Sequence, residues 1–220
     1  ASSLNNWASS NPSVTVAYAS SGTFTVTMAV PHVAAGTTDS WSVDVTAGND
    51  GTQASNDEGT TTVAVVSGHT VTIADASSNA NPGATATYYF TITNTGNADE
   101  SFAWTTDGNP SSGSTISLGM GDSETVSVSH TIGSASAAGD QSTVTFTSGS
   151  ESSTATTTTN QIYGVTISLQ STTDNGGISP GETFNAVYTV TNTGNGADTV
   201  TIDFDSDWLS GVSGTTHNLA

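Results

Sequence analysis

Any chemistry in this chain has to come from oxygen ligands, because it has no Cys, Lys or Arg and only four scattered His. The stretch "TVTIDFDSDWL", residues 199–209, sets Asp203, Asp205 and Asp207 at alternate positions. If it is a strand, the three carboxylates share its outer face while Val200, Ile202 and Phe204 turn to a core. Alternating carboxylates suit Ca²⁺, which takes oxygen ligands only. Trp208 stands where an EF-hand loop needs Gly, and no Glu occupies its twelfth position. The stretch is therefore read either as a solvated acidic face or as a loose, subunit-bridging Ca²⁺ site. "AGNDGTQASNDEG", with Asp50, Asp57 and Glu58 in a turn-rich loop, is a second candidate.

Other chemistries lack residues. His32, His69, His130 and His217 lie in unrelated contexts with no His-x-x-x-His spacing and no thiol, which argues against zinc. No G-x-S-x-G elbow occurs. We assign no catalytic and no cofactor-binding residue, and expect no enzyme activity.

Charge narrows the partners. Nineteen Asp and Glu against no Lys or Arg give a formal net charge of −19, although only 9% of the 220 residues are charged. Nucleic acid is excluded, since phosphate neutralisation depends on Lys and Arg, and an anionic membrane surface repels such a chain. No apolar run reaches the 18 or so residues of a membrane span. Every carboxylate must find water, backbone N–H, hydroxyl or an outside cation. A chain without thiols, and without Lys or Arg for trypsin-like proteases to cut, suits an extracellular, cell-surface setting.

The elements that would position these groups are strands. Thr, Val and Ile are plentiful, and aromatics run along the whole chain. "NPGATATYYFTITNTGNAD" returns as "SPGETFNAVYTVTNTGNGAD", with Pro82 and Pro180, Asn94 and Asn192, and Gly96 and Gly194 each 98 residues apart (180 − 82). A period near 100 residues is that of an immunoglobulin-like sandwich. Phe90 and Ile92, with Tyr188 and Val190 as their copies, alternate inward and are expected core residues. Asn-Thr-Gly-Asn then reads as a structural turn. Further on, Val126 with Val128, and Val144 with Phe146, alternate inward; "STATTTTN" reads as a Thr-rich edge strand or linker. The first part of the chain carries only the later half of the unit, with Phe24, Val26 and Met28 alternating before a small-residue loop and then Trp41, Val43 and Val45.

These two "NTGN" segments, with a following Trp and a "VPHVAAGTTDS"-type loop, resemble the CARDB-type and related immunoglobulin-like repeats of bacterial and archaeal surface proteins. The resemblance implies modules used as stalks, S-layer building blocks, adhesin arms or spacers beside secreted hydrolases. It carries no catalytic residues with it.

The expected fold is all-β: tandem immunoglobulin-like antiparallel β-sandwich domains. Residues 1–68 read as the C-terminal part of one domain, 69–163 as a complete domain and 164–220 as the N-terminal part of another. Two arrangements account for the outer parts. The chain is a window of a longer tandem array, or half-domains of successive subunits complete each other. The stretches after Trp7 and Trp208 cover the same ground twice, which favours the array. The expected role is structural, in an S-layer or extracellular filament; the alternative is an adhesin stalk or a carbohydrate-binding accessory module. Expected partners are copies of the chain, neighbouring immunoglobulin-like domains of the same long chain, and cations.

Overall fold

The computed structural model describes residues 2–7, 13–173, 176–203 and 215–219, and these form strands and no helix. In the first unit β1 (Ser2–Ser3), β2 (Thr38–Ala47) and β3 (Asp50–Thr62) make a sheet in the order β1-β2-β3. The middle unit holds β4 (His69–Ile73), β5 (Ser77–Ala80), β6 (Thr85–Asn94), β7 (Glu100–Phe102), β8 (Thr105–Thr106), β9 (Ile116–Leu118), β10 (Ser123–Thr131), β11 (Gln141–Ser148) and β12 (Glu151–Thr159). The third unit shows two hairpins, β13 (Val165–Thr172) with β14 (Ala186–Asn192) and β15 (Asp198–Ile202) with β16 (Thr215–Leu219).

The middle unit is a sandwich of two sheets, ordered β10-β6-β4 and β5-β12-β11-β8, with the β7–β9 ribbon beside them. Period-two alternation along β6 sends Tyr88, Phe90 and Ile92 inward, and all three are buried. They meet Val128 of β10 and Val144 and Phe146 of β11, and the Phe146 ring stacks with Phe90 and with Trp104, each at 5.1 Å. The Tyr88 hydroxyl pairs with Thr157 Oγ1 at 2.6 Å and Ser78 Oγ at 2.7 Å, so one buried phenol links β6 to both β12 and β5. Outward positions are hydroxyls that pair across strands, such as Thr91 with Thr125 at 2.9 Å and Thr93 with Ser123 at 2.8 Å.

"STATTTTN" is neither an edge strand nor a linker. It lies in β12, an inner strand whose far edge is covered by β5 in parallel register, with Ala155 and Thr157 buried. Its Thr content misled because an edge is defined by a neighbour that comes from elsewhere in the chain.

The outer units differ from the middle one in burial. Tyr188 is 49% exposed although its counterpart Phe90 is 0% exposed. The backbone is the same: Leu169 opposes Tyr188 as Ile73 opposes Phe90. Among the described residues no second sheet covers this face, so Tyr188, an expected core residue, is half exposed. Likewise residues 21–27 form no strand, and Met28 sits in a single bridge. In the middle unit the matching strand, β10, lies along β6, and among the described residues no strand pairs with 21–27 in that way.

In dilute chain, Phe90→Ala should cost about 3–5 kcal/mol, whereas Tyr188→Ala should stay within about 0.5 kcal/mol. Urea denaturation of the two variants measures both. Equal costs would contradict the difference in burial.

Candidate functional site: an inter-unit joint

The residues of the NTGN phrase do more than reverse the chain. Asn94, fully buried, accepts from Gly96 N–H at 2.8 Å through Oδ1, and its Nδ2 donates to the carbonyls of Ala98, Leu118 and Gly119 at 2.8, 3.1 and 3.1 Å. This satisfies a buried amide and holds the turn rigid. The rigid turn then presents backbone to the segment that enters from the preceding unit. Thr95 and Gly96 N–H both donate to Gly68 O, at 2.9 and 3.0 Å. A Cβ on Gly96 would lie 2.6 Å from Val66 O, so this approach requires glycine.

Asn97 is the clasp. Its N–H donates to Val66 O at 3.0 Å, its Oδ1 accepts from Val66 N–H at 2.7 Å, and its Nδ2 donates to Ala64 O at 2.9 Å. Its carbonyl accepts from Ala35 N–H at 2.8 Å, in the AAGT loop (34–37) of the first unit. That loop is pinned to the end of β3 through Gly36 N–H to Val63 O and Val63 N–H to Thr37 O, both 2.9 Å. One residue thus ties the middle unit to the linker with its side chain and N–H, and to the loop of the unit before with its carbonyl.

The same joint is built again. Asn192 Oδ1 accepts from Gly194 N–H at 2.9 Å, and its Nδ2 donates to Gly196 O at 2.8 Å. Thr193 N–H donates to Gly164 O at 2.9 Å, as Thr95 does to Gly68. Asn195 exchanges both bonds with Ile162, as Asn97 does with Val66: N–H to Ile162 O at 3.2 Å and Ile162 N–H to Oδ1 at 2.6 Å. Its Nδ2 donates to Asn160 O at 2.9 Å and Ser136 O at 3.2 Å, and its carbonyl accepts from Ala138 N–H at 2.8 Å in the AAGD loop (137–140). Sequence reading found the NTGN turn and missed this contact. A signal existed: AAGT and AAGD both stand immediately before a unit's last hairpin.

The acidic candidates fare differently. Asp203 is exposed, and Asp205 and Asp207 lie outside the described residues. Asp50, Asp57 and Glu58 lie in β3 and not in a loop, since pairing with β2 overrides their turn-forming composition. Asp57 and Glu58 are consecutive and face opposite sides, and Asp50 sits about 20 Å further along the strand. Among the described residues, no three His, Asp or Glu side chains gather where one ion could hold them.

Carboxylates find partners in backbone N–H and hydroxyl groups: Asp107 accepts from Thr145 N–H at 2.6 Å and Asp140 from Ala137 N–H at 2.8 Å. Asp50 accepts from the Thr52 hydroxyl at 2.6 Å and its N–H at 3.1 Å, and these bonds hold its carboxyl below the ordinary range. A lowered pKa favours the fold above the ordinary carboxylate range, and that contribution fades as the pH falls through the lowered value. Of the histidines, His69 Nε2 lies 2.9 Å from Ser148 O with its ring 4.6 Å from Phe102, and His130 Nε2 meets Ser142 Oγ. His32 is exposed.

No family model matches the chain, and no curated protein matches it. Among solved structures, one described as surface layer protein SbsC, domains 1-6, is similar over 98% of this chain at 18% identity and a TM-score of 0.29. The chain spans 31% of that protein's chain.

Asn195→Ala removes the side-chain acceptor for Ile162 N–H and the donor to Asn160 and Ser136. Hydrogen exchange at Ile162 should speed up by about tenfold or more, for a loss of at least 1.4 kcal/mol of local protection. Amides in the middle unit's core strands should keep their protection. Unchanged exchange at Ile162 would show that the side chain does not close the joint.

Proposed function

We propose that the chain is a structural segment of a tandem array of immunoglobulin-like domains, of the CARDB-like kind, that builds an extracellular surface layer or filament. The observation that supports this most is the joint made twice with corresponding partners. An array of fixed pitch needs each unit to meet the next in one orientation, and repeated units sharing nearest-neighbour interfaces supply it. Asparagines bonded through both side-chain ends suit this better than apolar contact, because directional bonds fix one arrangement. The composition supports the setting, with hydroxyl-covered sheets and no site for trypsin-like cleavage.

An adhesin stalk would use the same joint. A carbohydrate-binding module needs several coplanar aromatics on a sheet face, and among the described residues the middle unit's strands expose only Tyr89. The structural reading is preferred on that ground, and catalysis has no constellation to support it.

Stacked units bring like charges together, so assembly should need cations. Monovalent salt shortens the Debye length to about 8 Å near 0.15 M, and divalent ions can bridge carboxylates between neighbours, with Asp203, Asp205 and Asp207 the first candidates. Electron microscopy of the chain in EDTA, in millimolar Ca²⁺ and in NaCl of matched ionic strength should show ordered layers or fibres with added cations and fewer in EDTA. Full rescue by matched NaCl would leave screening and remove the calcium site. Dispersed single chains in every condition would overturn the assembly reading.

A further inference from the structure

We propose that Asn195 is a modification site: water converts the clasp of the second joint from an amide to a carboxylate, at a rate set by how often that joint opens, while the first joint keeps its amide.

The two joints share their partners but differ in the residue after the clasp. Asn97 precedes Ala98, whereas Asn195 precedes Gly196. Packing explains the glycine: a Cβ there would lie 2.8 Å from Ala138 Cβ in the AAGD loop. The Gly196 N–H donates to no group among the described residues. Asn195 and Gly196 are also only half-buried, whereas Asn97 is buried, so solvent reaches the second clasp and not the first.

An Asn-Gly pair has its own chemistry. The Gly196 amide nitrogen, having given its proton to hydroxide, attacks Asn195 Cγ. The N–Cγ bond forms, the Cγ–Nδ2 bond breaks, and Nδ2 takes a proton from water and leaves as ammonia. A five-membered succinimide remains. Water then opens the ring at one of its two carbonyls, leaving either a side-chain carboxylate or a backbone rerouted through the side chain. Amide and water have become carboxylate and ammonia. Glycine favours the attack because no side chain shields its nitrogen and its backbone reaches the conformations the ring demands. Ala98 has neither advantage.

The closed joint holds this reaction back. Asn195 Oδ1 accepts from Ile162 N–H at 2.6 Å, and Nδ2 donates to Asn160 O at 2.9 Å and Ser136 O at 3.2 Å. Nδ2 cannot leave while it is held, nor can Cγ become tetrahedral in a pinned planar amide. Conversion therefore waits for local opening, and its rate is the open-chain rate multiplied by the fraction of time spent open. Once formed, the carboxylate only accepts, so the Asn160 and Ser136 carbonyls lose their donor and face a negative charge. Rerouting the backbone also displaces the Asn195 carbonyl from Ala138 N–H, now 2.8 Å away. The second joint is released from the AAGD loop, and the first is untouched.

The test incubates the chain in mildly alkaline buffer beside a synthetic peptide of residues 191–199. Mass spectrometry after chymotryptic cleavage separates Asn195 from the other Asn-Gly pair, at 175–176, because Phe184 and Tyr188 lie between them. Asn195 should convert about a hundredfold more slowly than the peptide, and Asn97 should stay intact. Urea at a concentration that speeds exchange at Ile162 should speed conversion in proportion. Gly196→Ala, combined with Ala138→Gly to keep room, should reduce conversion to the level at Asn97. In the aged chain and in Asn195→Asp alike, exchange at Ala138 should rise about tenfold or more, with Val66 unchanged. Conversion at the peptide's rate would overturn the gating, and no conversion once urea has opened the joint would overturn the site. Undiminished conversion in the double variant, or full protection of Ala138 in Asn195→Asp, would overturn the role of Gly196 or the release of the joint. None of this rests on the surface-layer reading, since a chain that never assembles still carries both joints.

Discussion

An asparagine that bonds through both backbone and side chain to the preceding unit is the interaction on which this structure's organisation rests. Asn97 and Asn195 each make a two-way exchange with one linker residue and also reach the loop before the previous unit's last hairpin. Each bond is worth only about 0.5–1.5 kcal/mol net, so the joint contributes orientation more than bulk stability. That orientation depends on the inner pair, Asn94 and Asn192, which hold the turns in shape. Removing either layer takes away the partners that hold the linker backbone in one orientation.

The absence of Lys and Arg shapes everything outside the cores. With no internal counter-charge, carboxylates are placed where a backbone N–H or hydroxyl is free to donate, as Asp107, Asp140 and Asp50 show. The sheet faces carry paired hydroxyls where other proteins carry ion pairs. Such a surface is neutral at close range and negative at long range, and solvent cations modulate only the long-range part.

The sequence made the local features legible and left the long-range ones hidden. Alternation identified Phe90, Ile92, Val128, Val144 and Phe146 because a period of two is a property of the strand itself. It placed Tyr188 in a core and residues 24–28 in a strand by the same logic. Both need a neighbour from another part of the fold, and in this chain the described residues do not supply one. Asn97 was taken as a turn residue for the same reason: its partners, Val66 and Ala35, are 31 and 62 residues away (97 − 66 and 97 − 35). The acidic positions of β3 looked like a loop because composition registers Gly, Asn and Asp but not the opposing strand that straightens them.

The switch of the first edge strand between sheets matters if the molecule is pulled from its two ends. After β4 pairs with β6, the chain crosses to the other sheet and β5 runs parallel to β12, the strand that leads directly into the next linker. Tension applied through the two linkers draws β5 and β12 in opposite directions along their own axes. The bonds between Ser77–Ala80 and Thr156–Thr159 then carry the load side by side and must break together, whereas an antiparallel pair loaded from one end opens one bond at a time. The joints deliver the force to that short parallel ladder, and the folded unit resists extension there before its core is exposed.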